Sequence, residues 1–262
     1  MTRRPAQLLF TRNLKRLGAT LFAVALLYPL VGLVVPIGPW RWDGGAMLDA
    51  VRVSIGLTLI AMVIVIALGT PMALYIARST PRERLWWQAV LLISVLLPPL
   101  ALGILLSLAF GPHAFGAFLQ RFGLAMTNTP LAFVVTQAYV GIGYYVLGAI
   151  AALESVPRPL EQQAALLGHN PWSVFWRVTY PIARLGLAVA ISLAWVRSLT
   201  EFGAIVVTAY FPAGMPVAIW TNLENFGLPA VMPLLVIFLV TALPLPWLAH
   251  LLAQRRLSTS HA

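Results

Sequence analysis

Two ionisable residues interrupt an apolar run in the C-terminal half of the chain. Arg197 and Glu201 are the charged residues of positions 185–210. A charge inside a membrane-spanning helix costs about 2.5–3.5 kcal/mol on insertion scales, so such residues usually face a bundle interior or a water-filled path. A spacing of four puts both side chains on one helix face, where they can neutralise each other. Two interpretations follow: an ion pair that orients the helix, or an arginine lining a path suited to an anion.

The sequence contains no motif typical of an enzyme. The HExxH zinc-protease motif, the GxSxG elbow, paired carboxylates and the P-loop are absent. The absence of cysteine excludes thiol catalysis, thiolate metal sites and disulfides. The histidines are scattered among different segments: His113, His169, His250 and His261. We expect no catalytic residue, no metal site and no cofactor bound by this chain, and we assign His169 to turn geometry.

The composition indicates a multi-pass membrane protein. Of 262 residues, 60% are hydrophobic and 9% charged, and the mean hydropathy is +0.89. This is too little charge to cover a water-soluble globule of that size. Six apolar runs are long enough to cross a bilayer as helices. We predict spans at 17–37, 51–77, 85–110, 131–153, 185–210 and 230–252.

Two of these spans have special features. The first is longer than the ~7–15-residue apolar region of a signal peptide and lacks an evident cleavage site, so we expect it to stay uncleaved. The third contains Pro98 and Pro99, which should break or kink its helix. We also expect that the loop 211–229 can hold a short helix at the membrane interface.

The distribution of basic residues predicts the orientation. The N-terminal segment, the loops 78–84 and 155–184 and the C-terminal tail hold thirteen of the seventeen Lys and Arg residues, and the opposite side holds three. Basic residues are enriched in cytoplasmic loops. We therefore expect both termini and the loop 155–184 in the cytoplasm, and no nucleic-acid partner. The predicted organisation is a cytoplasmic segment 1–16, a transmembrane domain 17–253 and a cytoplasmic tail 254–262.

The longest of the predicted cytoplasmic loops, residues 155–184, reads SVPRPLEQQAALLGHNPWSVFWRVTYPIAR and has its own capping signals. Gly168 can adopt the left-handed conformation that ends a first short helix. Asn170 and Pro171 suit the N-cap and first residue of a second. Its residues Trp172, Phe175 and Trp176 follow helical spacing, and Pro181 should stop it. The sequence predicts a helix-turn-helix, which could be an interfacial element or a knob that docks into a groove of a soluble partner.

This loop resembles the EAA loop of permeases of ATP-binding cassette (ABC) importers. Gly168 matches the glycine of the pattern and Tyr180-Pro181 stands where Leu-Pro is usual. Aligned on Gly168, the Glu-Ala-Ala positions read Gln162, Gln163 and Ala164, with Glu161 adjacent. The stretch RSLTEFGAIVVTAY (197–210), which contains Phe202 and Gly203, is similar to the oxyanion branch of molybdate, tungstate and sulfate permeases. The following segment, YFPAGMPVAIWTNLENFGLPAVMP, is most similar to molybdate/tungstate permeases of the archaeal type.

The resemblance implies an all-α, type I ABC importer permease with six transmembrane helices and a cytoplasmic coupling loop. It implies a homodimer in the inner membrane, joined by two ABC ATPase subunits that bind ATP and Mg²⁺, and by an extracytoplasmic substrate-binding protein. The loop residues that would couple to the ATPase are Glu161, Gln162, Gln163, Ala164, Gly168, Asn170, Pro171, Trp172 and Pro181. Arg197, Glu201, Phe202 and Gly203 would line the pathway or hold its structure.

Alternatives remain open at this stage. The same transporter class could carry sulfate, ferric ion or a small organic solute. A membrane structural subunit or an intramembrane enzyme would need no ATPase partner. Gly203, together with Gly186 and Ser192, could serve close helix packing alone.

Overall fold

The computed structural model describes residues 5–35, 38–111, 114–249 and 251, and all regular elements within them are helical. The elements in chain order are α1 (Pro5–Leu27), a 3-10 helix (Tyr28–Leu33), α2 (Gly44–Arg78), α3 (Pro81–Leu96), α4 (Pro99–Phe110), α5 (Phe115–Gln120), α6 (Pro130–Glu154), α7 (Arg158–Leu166), α8 (Pro171–Val174), a π turn (Phe175–Thr179), α9 (Tyr180–Leu199), α10 (Ile205–Thr208), α11 (Met215–Phe226) and α12 (Leu228–Ala242). A further helical stretch follows at 244–249.

Five helical segments of the described residues are long and apolar enough to cross a membrane, and α3 with α4 forms a sixth span if the bent pair counts as one. The five are Lys15–Leu33, Gly44–Arg78, Pro130–Glu154, Pro171–Leu199 and Leu228–Ala249. The prediction of an all-α protein with six spans is thereby confirmed. The predicted ends of the first and sixth spans, residues 37 and 252, lie outside the described residues, as does the tail 254–262.

Side-chain caps fix where several helices begin. Asp43 caps α2 and Thr129 caps α6, each accepting a hydrogen bond from a backbone N–H three residues later. Thr80 and Glu83 form a reciprocal capping box at the start of α3. The Thr80 backbone N–H and the Thr80 hydroxyl both donate hydrogen bonds to the Glu83 carboxylate. These bonds lower the pKa of Glu83, and the bond from the backbone N–H has the larger effect. These caps satisfy amide groups that the first turn of a helix leaves unpaired.

The core of the bundle consists of α2, α6 and α9. Small residues let α6 and α9 approach closely: a Cβ at Gly148 would lie 2.8 Å from the Cβ of Ala190, and one at Gly186 would lie 2.5 Å from the Cβ of Ala152. Interfaces between membrane helices favour such residues because dispersion contacts require close approach. Gly186 therefore has the packing role that its residue type suggested.

The third span is broken, as Pro98 and Pro99 predicted. Helix α3 ends at Leu96, α4 begins at Pro99, and the two axes differ by 103°. The missing N–H group of each proline prevents the helical hydrogen-bond ladder from continuing through this point.

The prediction of a continuous fifth span over residues 185–210 is wrong. Helix α9 ends at Leu199, and the short helix α10 begins only at Ile205. The Glu201 carboxylate accepts the Ala204 N–H at 2.7 Å, so a side chain replaces the backbone acceptor that a helix would offer. A Cβ at Gly203 would lie 2.8 Å from the Cβ of Pro99, so the breaks in the third and fifth spans meet there.

Two short helices lie in the loops outside the core. Helix α11 occupies part of the loop 211–229, where a short helix was expected. Helix α5 lies in the loop 111–130, where none was predicted.

Candidate functional site

An ion pair holds the polar loop against the bundle. Glu161 lies in the first turn of α7, and Arg78 is the last residue of α2. Arg78 Nη2 donates to Glu161 Oε1 at 2.7 Å, and the Thr179 hydroxyl donates to the same oxygen at 2.6 Å. The side chains of Arg78 and Glu161 are 25% and 18% exposed. One carboxylate oxygen therefore links α7, the end of α2 and the π turn before α9.

Further polar contacts extend this bracing to other helices. Arg78 Nη2 also donates to the Leu153 carbonyl at 3.2 Å, near the end of α6. Arg158 Nη2 donates to the Ala77 carbonyl at 3.2 Å. Arg84 on α3 pairs with Glu154 on α6 at 2.8 Å. The helix ends at this side of the bundle are thus joined by charge-assisted hydrogen bonds, which are stronger than neutral ones.

The turn between the two short helices forms as the sequence predicted. Gly168 has a φ of +86°, in the left-handed region. The His169 N–H donates to Ala164 O and the Gly168 N–H donates to Ala165 O, the two bonds of a Schellman motif. Asn170 Oδ1 accepts the Ser173 N–H at 2.8 Å, so its predicted N-cap is confirmed. His169 Nδ1 also lies 3.5 Å from the Ser173 hydroxyl, in keeping with its expected role in the turn.

The second short helix does not stop at Pro181, and that prediction is wrong. The helical path runs without interruption from Pro171 to Leu199. The π turn Phe175–Thr179 lies immediately before α9, and the Tyr180 N–H donates to Phe175 O, five residues back. The wider turn shifts the hydrogen-bond register by one residue next to the proline, which allows the helix to continue. The loop is therefore rigidly connected to the fifth span.

The outer face of the loop is apolar and exposed. Leu166 is 87% exposed, Leu167 81% and Trp172 70%. Gln162 and Gln163 are also exposed, whereas Ala164 is buried against the rest of the loop. Aromatic rings contact one another along the second helix, mostly edge-to-face or tilted, with centroids 5.1–6.4 Å apart: Trp172, Phe175, Trp176 and Tyr180. Exposed apolar groups beside a braced backbone are typical of a protein docking surface.

The second predicted group lies at the other end of α9. Arg197 Nη1 lies 2.5 Å from Glu201 Oε2, so the expected ion pair is present. The Glu201 side chain is 1% exposed, whereas Arg197 is 24% exposed and lines a cavity of 450 Å³ along α9. The Arg197 guanidinium also lies 5.7 Å from the Tyr144 ring centroid. Phe202 packs on Trp220 at a centroid distance of 5.8 Å.

The two predicted groups are separate. Eighteen residues separate Thr179 from Arg197, which corresponds to about 27 Å along an α-helix. Sequence reasoning did not find Arg78, Thr179, Arg84 or Glu154 as supports of the loop. Arg78 was counted only as one of the basic residues that flank a span. The signal that could have identified it was an arginine at a helix end together with an acidic residue, Glu161, in the loop. His113, His250 and His261 lie outside the described residues.

The structure is that of a membrane protein with an exposed, apolar-tipped helix-turn-helix braced against the ends of its membrane-length helices. The chain belongs to the family of binding-protein-dependent transport system inner membrane components, whose family model matches residues 66–258. It is therefore a multi-pass inner-membrane protein, and within an ABC importer it is the permease and not the catalytic subunit.

Relatives of known class agree with this assignment. A probable molybdenum ABC transporter permease protein of Haloferax volcanii is 29% identical over 245 residues, which cover 92% of this chain and 90% of that protein. The molybdate/tungstate transport system permease protein WtpB of Pyrococcus furiosus is 27% identical over 197 residues, 75% and 74% of the two chains. A bacterial alginate ABC transporter, solved in complex with an alginate pentasaccharide-bound periplasmic protein, shares the fold. It is 16% identical over 95% of this chain and 94% of that chain, with a TM-score of 0.71.

Proposed function

We propose that this chain forms the membrane pathway of an ATP-driven importer for molybdate or tungstate. The carrying observation is the exposed apolar tip of the loop 155–184, Leu166, Leu167 and Trp172, on a backbone braced against α2 and α6. A surface of this kind suits a soluble motor, because a rigid knob transmits displacement to the helices that hold it. The relatives named for molybdenum, molybdate and tungstate support the substrate.

In this proposal an ABC ATPase subunit docks on the loop in the cytoplasm and binds ATP and Mg²⁺. A substrate-binding protein delivers the anion from the opposite side. The excess of basic residues at both termini and in the loops 78–84 and 155–184 supports this orientation. The exposed loop residues Gln162, Gln163 and Trp172 would contact the ATPase. The remaining site residues would keep the helix-turn-helix in shape: Glu161, Ala164, Gly168, Asn170 and Pro171.

The proposed assembly is a homodimer. The apolar segment Lys15–Leu33 has none of its residues buried within the monomer, whereas the other continuous spans are 28–61% buried. A second copy of the chain would supply a packing partner for this helix, and the two copies would enclose one pathway. Discrimination among tetrahedral dianions would fall mainly to the binding protein, because a pathway that held the anion tightly would release it slowly.

Reconstitution tests this proposal. The chain is purified with its ATPase and binding protein, placed in vesicles, and assayed for ATP-dependent accumulation of labelled molybdate. We expect accumulation that excess tungstate abolishes and equal sulfate leaves largely unchanged. Uptake that sulfate or ferric ion suppresses better than tungstate would assign another cargo. A purified chain that binds no ATPase would refute the transporter proposal.

A further inference from the structure

The first short helix of the loop is attached to the bundle mainly by polar contacts. Helix α7 buries a single residue, Ala164, and packs against α8 and the π turn. Between α7 and the last turns of α2 lies a cavity of 410 Å³ lined by Leu74, Arg78 and Glu161, among others. Because the cavity interrupts apolar packing between α7 and α2, a displacement of α7 is transmitted to α2 mainly by hydrogen bonds, namely Arg78 to Glu161 and Arg158 to the Ala77 carbonyl.

Arg78 makes the contact that joins the largest number of these elements. Its Nη2 atom donates both to Glu161 Oε1 on α7 and to the Leu153 carbonyl near the end of α6. The same carboxylate oxygen accepts the Thr179 hydroxyl, which precedes α9. A planar guanidinium with fixed donors can hold two acceptors in one geometry, which an ammonium group does poorly.

The covalent chain provides a different route from the loop into the membrane. The helical path from Pro171 to Leu199 carries motion of the second short helix directly into α9. Helix α6 is joined to α7 by the non-helical residues 155–157, and α2 is joined to it through side-chain contacts, of which Arg158 to the Ala77 carbonyl is one. Without Arg78, α7 would keep only the Arg158 contact to α2 and the short connection 155–157 to α6, so motion of the loop would reach these two helices less completely than it reaches α9.

We propose that Arg78 is the positioning residue that makes α2 and α6 move together with the loop when an ATPase subunit displaces it. The inference rests on the proposed function, in which the loop docks that ATPase. Arg78 itself does not contact the ATPase or the transported anion; it acts through Glu161 and the Leu153 carbonyl.

The test measures the amount of anion transported per ATP hydrolysed in vesicles that contain the complete importer. We expect Arg78→Ala to lower this ratio at least about fivefold, the lower end of typical coupling between sites, while ATPase binding and the ATPase rate stay close to wild type. Arg78→Lys should give an intermediate ratio, since it keeps the positive charge but lacks the planar guanidinium with its fixed donors. Arg82→Ala, which removes an exposed arginine from the first turn of α3, is the matched control and should leave the ratio unchanged.

A covalent link provides a rescue that a merely structural role would not show. The chain has no cysteine, so an Arg78→Cys/Glu161→Cys double variant carries two unique thiols in this subunit. In partners whose own cysteines have been replaced, a bifunctional methanethiosulfonate reagent of side-chain length should restore the transport ratio, and a reductant should abolish it again.

The outcomes separate the inference from the function on which it rests. A wild-type transport ratio in Arg78→Ala would overturn the inference, and so would loss of ATPase binding in that variant, because the residue would then shape the docking surface. Failure of the cross-link to restore the ratio would also contradict it. A wild-type chain that binds no ATPase would refute the proposed function before any substitution is made.

Discussion

The guanidinium of Arg197 contacts the carboxylate of Glu201 at 2.5 Å, although the helix that carries Arg197 ends at Leu199. The two residues are therefore paired across a break and not along one helix face. Glu201 also accepts the Ala204 N–H with its other oxygen. The pair consequently stabilises the irregular backbone at the end of α9, in addition to neutralising a buried charge.

Removing one member of this pair should be worse than neutralising both. Arg197→Ala leaves the Glu201 carboxylate buried and unpaired, and breaking a buried pair this way costs about 3–5 kcal/mol. In the double variant Arg197→Met/Glu201→Gln no charge is buried, and the amide oxygen can still accept the Ala204 N–H. We expect thermal unfolding in detergent to show a lower midpoint for Arg197→Ala than for the double variant. A double variant less stable than either single one would contradict the compensated pair.

The turn of the loop depends on the backbone conformation of Gly168 and not on space around it. Its φ is +86°, and a Cβ there would meet no heavy atom within 4 Å. A branched residue pays a conformational cost of about 1–2 kcal/mol in the left-handed region, which Asn tolerates better. We expect Gly168→Val to insert into the membrane normally but to lower anion transport per ATP, and Gly168→Asn to retain most of it. Full uptake in both variants would show that the conformation of this turn does not affect the coupling of ATP hydrolysis to transport.

The exposed leucines of the loop should contribute to ATPase binding and little to folding. Leu166 and Leu167 are 87% and 81% exposed, so their truncation removes almost no contact within the chain. Burying a leucine at an interface is worth about 1.5–3 kcal/mol. Leu167→Ala should weaken ATPase binding by roughly tenfold, measured by co-purification or titration, with an unchanged unfolding midpoint. Leu48→Ala, half exposed on α2 far from the loop, is the control.

Close contact between α6 and α9 should make Gly186 intolerant of larger residues. A Cβ at this position would lie 2.5 Å from the Ala152 Cβ and 3.1 Å from its Cα. Overpacking of this kind typically costs about 1–3 kcal/mol. Gly186→Val should lower the unfolding midpoint, whereas Gly56→Val, where a Cβ meets nothing within 4 Å, should not. Similar midpoints for the two variants would mean that the helices can separate at low cost.

The local features of the candidate site were predictable. Gly168, Asn170 and Pro171 act on the backbone within a few residues of themselves, so their types alone predicted the turn and the second N-terminus. Pro98 and Pro99 predicted the break in the third span for the same reason. The prediction that Pro181 ends the helix was wrong because the π turn immediately before α9 compensates for the missing N–H of the proline, and no residue type in this segment predicts such a turn. The proposed domain limits at residues 16 and 253 remain predictions.

The sequence by itself determined the membrane class, the six spans, the capped helix-turn-helix and, through its motifs, the family. These properties follow from hydrophobicity and from interactions between near neighbours. Only the tertiary structure decided that Glu161 pairs with Arg78, 83 residues away, and that the fifth span breaks where Gly203 meets Pro99. Such contacts form because the packing of α2, α6 and α9 brings the ends of particular helices together. A local pattern of residues does not specify which distant residues will meet.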